Sequence, residues 1–213
     1  LTYPAYTGRP AEQIPDTRRL TAIEGTRLDL TLRLNKPVAT ARLVAQGAPA
    51  LAIDLETDPQ RAVAILRQWP LTNSRVFNVQ LVDRAERTNK APAELRIEAL
   101  KNRPPEIRLA TPRGDIRPSA LEEVAFSGTV WDDFGVPAFG LAYSVAGQET
   151  RFIELGRDLA GRAQHPFQHL LRLEDLGAEP AQLISWHVWA EDLGPDGQAR
   201  RTTGDLFFAE VRP

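Results

Sequence analysis

From Thr26 the chain alternates between apolar and polar residues. In "TRLDLTLRL", Leu28, Leu30, Leu32 and Leu34 share one face, while Arg27, Asp29, Thr31 and Arg33 share the other. A period of two predicts a half-buried strand, which "NKP" at 35–37 ends. Shorter strands are predicted over 39–45, 50–55 and 62–68. "VFNVQLV" sets Phe77, Val79 and Leu81 on one face, and "ELRIEAL" turns Leu95 and Ile97 inward. Pro104 and Pro105 cannot donate to a ladder and force an extended link. The pattern then restarts with Val124, Phe126 and Val130, the turn "DDFG", and strands in "FGLAYSV", "RFIEL" and "HLLRL". "LEDLGAEP" predicts a short helical turn, and "ISWHVWAED" and "GDLFFAEV" close the chain.

Many short strands, turn signals about every ten residues and no long helical period predict an all-β fold. The expected architecture is two tandem immunoglobulin-like β-sandwiches, 17–103 and 104–213, after an extended arm at 1–16. An internal repeat supports this. Phe77, Val79, Leu81 and Asp83 have the same spacing as Trp186, Val188, Ala190 and Asp192, and each set precedes a polar turn and a last strand. This resembles the sixth strand of immunoglobulin-like domains, where antibody domains carry a tyrosine and a cysteine; here packing must replace the disulfide. In the arm, Pro4, Pro10 and Pro15 oppose a packed element, yet Tyr3 and Tyr6 favour docking on the first sandwich over a free tether.

Composition narrows the chemistry. Among 213 residues, cysteine and methionine are absent, which removes disulfides and thiolate chemistry. A formal net charge of −2 gives no basic field to draw in nucleic acid. No apolar run is long enough to span a bilayer. Lysine occurs only at Lys36, Lys90 and Lys101 against abundant arginine, a bias that fits a GC-rich bacterial genome. The chain begins at Leu1 rather than methionine, so a longer parent protein is expected.

The segments "YPAYTGRPAEQIPD", "AIEGTRLDLTLRLNKP", "NRPPEIRLATPRGD", "WDDFGV" and "WAEDLGPDGQARRTTGDLFFAEVRP" together resemble a bacterial family of large membrane-anchored proteins. In that family, immunoglobulin-like modules follow transmembrane helices and precede a long charged helical region. The resemblance covers nearly the whole chain and is strongest at its C-terminal end. It implies an extracytoplasmic β module of the cell envelope, on the periplasmic side, with membrane contact only through segments outside this chain. It brings no catalytic residues.

Three groups of side chains bear on function. Asp132 and Asp133 after the second strand, and Glu191, Asp192 and Asp196 after the sixth, fall at one end of an immunoglobulin-like sandwich. Five carboxylates suit calcium, which takes six to eight oxygens, but their spacing matches no calcium loop. The favoured reading is that they accept turn amides, with Arg200 and Arg201 neutralising them. Otherwise no cofactor or metal is expected. His165 and His169, four apart on a strand, lie about 13 Å from one another and cannot share a metal. With no nucleophile motif or dinucleotide fingerprint, an enzyme is not expected.

The third group is an outer face. If Trp186, Val188 and Ala190 point inward, His187 and Trp189 point outward, where the first repeat has Asn78 and Gln80. With Leu206 and Phe208 inward on the last strand, Phe207 joins Trp189 outside. His187, Trp189 and Phe207 thus form the expected contact face for another protein or another region of the same full-length chain. The competing uses are stacking on carbohydrate and a calcium-rigidified adhesin-like repeat. On this reading, Trp189→Ala weakens binding and leaves the fold intact.

Overall fold

The computed structural model describes residues 1–161 and 163–213. The chain divides into two compact units, Leu1–Asn102 and Arg103–Pro213. Each is a β-sandwich, and no α-helix occurs among the described residues.

In the first unit, β2 (Arg27–Arg33) pairs with β5 (Val63–Pro70) as one layer. The other layer runs β1 (Arg19–Ile23), β7 (Glu94–Leu100), β6 (Arg75–Val82), β3 (Thr40–Ala45), β4 (Ala52–Thr57). At its end β4 leaves this layer, and Glu56 and Thr57 pair with Ile65 and Ala64 of β5. Second and fifth strands against third, sixth and seventh is the immunoglobulin-like arrangement. The period-two faces of β2, β6 and β7 meet in the core, where Leu28, Leu43, Phe77 and Ile97 are buried. Trp69 abuts Phe77 edge-on at 5.8 Å.

The arm is packed rather than extended. Thr2 exchanges backbone hydrogen bonds with Arg27, covering the open edge of β2. Ala5–Thr7 form a 3-10 turn closed by Gly8 at φ +63°. Tyr3 is buried and donates its hydroxyl to Glu12 at 2.7 Å, and Tyr6 donates to the Glu24 carbonyl. Two aromatic anchors outweigh the prolines: Pro4 precedes the 3-10 turn, while Pro10 and Pro15 are exposed.

In the second unit, β8 (Glu106–Thr111), β9 (Glu123–Trp131) and β12 (His165–Arg172) form a three-stranded layer. The opposite layer runs β11 (Arg151–Leu159), β10 (Val136–Val145), β13 (Leu183–Leu193). β14 (Ala199–Thr203) and β15 (Phe207–Glu210) then pair with successive halves of β13. The expected helical turn is a 3-10 turn at Glu174–Leu176. Trp186 is central to the core, edge-on to Phe126 and stacked on Phe207, each at 4.8 Å.

That stack corrects the phase of the last strand. Phe207 pairs with inward-facing Trp186, and Phe208 pairs with outward-facing Ser185. Phe207 therefore faces the core, while Leu206 and Phe208 are exposed. The break between β14 and β15 resets the alternation, and a slip of one residue exchanges the two faces. β1, β8 and β14 were not foreseen.

Candidate functional site

The acid-rich end of the second unit is built by the turn after β9 and the hairpin between β13 and β14. Asp132 caps its own turn, accepting the Phe134 amide at Oδ1 (2.8 Å), and Gly135 supplies φ +103°. Asp192 is 1% exposed and receives both Nε and Nη2 of Arg200. Glu191 receives Nε and Nη2 of Arg201 at 3.1 and 2.7 Å. Asp196 is exposed and accepts the Gln198 amide. Turn and ion-pair roles thus engage Asp192, Glu191 and Asp196.

Asp132 is the exception. It is 2% exposed, and its Oδ2, like Oδ1 of Asp133, has no hydrogen-bond partner among the described residues. Burial pushes its carboxyl up to about 6, with Asp133 and Asp192 adding repulsion and the Phe134 amide and Arg200 opposing it. No group of three or more acids or histidines among the described residues is arranged to hold a metal ion. The calcium arrangement weighed from sequence is therefore not assembled: Arg200 and Arg201 occupy Asp192 and Glu191 as their counter-ions.

The outer aromatic face is corrected in a second respect. Trp189 does lie on the outer side of its sheet, apart from the inter-sheet core, but it is 3% exposed. Its ring lies on Ala138 and Ala142 and over Gly140, where an added Cβ would stand 2.7 Å from the indole. From above, the Arg201 guanidinium sits 4.0 Å from the Trp189 centroid and 5.1 Å from that of Phe152. Phe152 meets Trp189 edge-on at 6.5 Å. Such cation–π contact and small underlying residues bury the indole without a second sheet. His187 is half-buried, and burial first and Arg201 second hold it below the usual histidine range.

What the outer face does expose is a different set: Phe152, Leu183, Leu206 and Phe208. Sequence reasoning missed these. The phase of Phe208 was inverted, and Phe152 comes from the neighbouring β10–β11 hairpin rather than from the β13–β15 region. His165 and His169 lie on β12 as expected, and burial lowers the pKa of His169. A shallow depression on β8–β9–β12, lined by Arg108, Ser127, Thr129, Pro166 and Gln168, gathers no acid, base or nucleophile pair.

No family model and no curated protein matches the chain. Among solved structures it is similar to the fibronectin(III)-like modules of CbhA from Clostridium thermocellum, at 13% identity over 93% of this chain and 92% of that one, with a TM-score of 0.32. It is also similar to Dpr2 Ig1-Ig2 in complex with DIP-Theta Ig1-Ig3, at 10% identity over 92% and 62%, TM-score 0.33. A third is the human OSCAR ligand-binding domain, at 12% identity over 88% and 92%, TM-score 0.30. The fold is assigned from strand order within each unit: the chain carries two immunoglobulin-like β-sandwiches in tandem.

Proposed function

We propose that this chain is a non-catalytic structural and protein-binding module of a larger bacterial envelope protein, extracytoplasmic and membrane-anchored by segments outside it. One observation carries the reading: apart from Asp132 and Asp133, the side chains singled out as candidate chemistry are engaged in holding the sandwiches together. Asp192 and Glu191 serve Arg200 and Arg201, Asp83 serves Lys36 and Arg87, and Trp189 packs under Arg201. What is left for a partner is relief and an apolar patch, which suits protein contact.

Carbohydrate stacking is disfavoured because Arg201 covers Trp189, leaving Phe152 as the one aromatic of that pair in the open. Titration of the whole chain with soluble cell-wall fragments tests both points. The module reading expects neither saturable heat nor released product. Saturable binding lost in Phe152→Ala would replace it with a carbohydrate-binding role. Turnover lost in Asp132→Asn would replace it with an enzyme.

A further inference from the structure

Nine large hydrophobic residues are exposed among the described residues, and four of them, Phe152, Leu183, Leu206 and Phe208, belong to one sheet face of the second unit. The register places them. Phe152 pairs with Ala142, and Ala142 with His187. Phe208 pairs with Ser185, two residues along the same strand from His187, and Leu183 lies two residues before Ser185. Leu206 precedes Phe208 by two and shares its parity. The small residues Ala142, Ser144 and Ser185 lie between them, so the apolar groups rim a flat floor. The equivalent face of the first unit is polar: Gln46, Asn78, Glu94 and Arg96 are joined by hydrogen bonds, and Arg42 is joined to Asp54.

Charge distinguishes this face from the rest of its unit. Residues Arg103–Pro213 contain 17 Asp and Glu against 11 Arg and no Lys, a net charge of −6, while Leu1–Asn102 carries 15 basic and 11 acidic residues, a net of +4. On the face itself each acid is matched: Glu154 with Arg157, Glu191 with Arg201, and Glu210 with Arg117. Burial, and then the neighbouring Arg201, disfavour the charged form of His187. These pairs leave the face close to balanced within a unit of net charge −6. Two copies approaching by this face therefore meet little like-charge repulsion.

We infer that the outer face of the β11–β10–β13–β15 sheet pairs with the same face of a second copy of this chain, in an isologous contact centred on Phe152, His187 and Phe208. The size suits it. Strands of nine, ten, eleven and four residues, at roughly 3.3 Å per residue and 4.8 Å between strands, give about 540 Å², the small end of specific interfaces, where weak and transient contacts sit. This deepens the protein-binding reading by naming the partner.

The test is sedimentation equilibrium of the whole chain up to ~100 µM, a range that captures weak dimers. The expected result is a concentration-dependent mass approaching twice 23.6 kDa. Phe152→Glu and Phe208→Glu should each weaken the dimer about tenfold or more, by burying an unpaired carboxylate. Leu206→Glu, at a position 56% exposed, is the variant to use should either alter the melting curve. Asn78→Glu on the sister face should change nothing. A chain that stays monomeric overturns the inference, as does a dimer indifferent to Phe152→Glu and Phe208→Glu or equally weakened by Asn78→Glu. None of these results bears on the cell-wall titration, so the two ideas fail separately.

Discussion

Both units end their sixth strand on a buried aspartate, Asp83 in one and Asp192 in the other, and they surround it with opposite charge. In the first unit the turn after the second strand brings in Lys36, 2.7 Å from Asp83. Arg87 adds its guanidinium and its amide, and the Ala85 amide adds a further bond. Lys36 above all, with the Arg87 amide, holds the Asp83 carboxyl well below the usual range. In the second unit the same turn brings in Asp132 and Asp133, so like charges meet and Arg200 has to serve the cluster. The comparison teaches that a shared scaffold position fixes where an aspartate goes and not what it does. Its electrostatics are set by whichever residue the facing loop offers.

The largest expected effect tests the outer faces of the two sheets. Trp189→Ala removes an indole packed on three small residues and should cost about 3–5 kcal/mol, read as a drop in denaturation midpoint. The corresponding Gln80→Ala, at an exposed position, should stay within about 0.5 kcal/mol. Equal costs would mean that Trp189 is not covered. Next, Arg200→Ala leaves Asp192 buried without this counter-ion and should cost about 3 kcal/mol. Arg87→Ala should cost less, because Lys36 still faces Asp83. Hydrogen exchange resolved by unit assigns each loss.

Acid should separate the ends further. The fold raises Asp132 from 3.8 to about 6, so the native state holds that proton more tightly than the unfolded chain. Its contribution to stability is complete below pH 3.8 and disappears as pH rises through 6, a change of about 3 kcal/mol. Asp83 is lowered, so its contribution is complete above 3.8 and is lost as pH falls further. Moving from pH 7 to 5 should restore the Asp132 contribution in the second unit, opposed there by His169 and His187, whose lowered pKa values make the native state resist protonation, and should leave the Asp83 contribution unchanged. Asp132→Asn should abolish the gain. The smallest effect is the last: calcium or chelator should leave the melting curve in place, since Arg200 and Arg201 already serve Asp192 and Glu191 as counter-ions.

Much of the fold was legible because strand faces advertise themselves. The leucines of β2 and the matched spacing of β6 and β13 placed the core residues of both units. β14 was invisible because "ARRTT" carries no apolar alternation, its job being to supply Arg200 and Arg201 to β13. Phe207 was mis-phased because the β14–β15 break does not show in a run of apolar letters. The direction of Trp189 was legible and its accessibility was not. Direction follows from parity along one strand, whereas cover comes from Phe152 and Arg201, 37 and 12 residues away in the chain. The neutralising role of the two arginines could be read because they follow the acids closely. The burial of Asp132, set by surroundings from several segments, could not.

One consequence follows from the parallel pairing of β1 with β7 in the first unit, where five residues of the first strand lie in register with five of the last. Tension applied at the two ends of this unit pulls those strands past each other along their length. Every hydrogen bond of the ladder then bears load at once, and the ladder yields as a whole instead of unzipping bond by bond. Where tension crosses this unit between these strands, that alignment is what resists it.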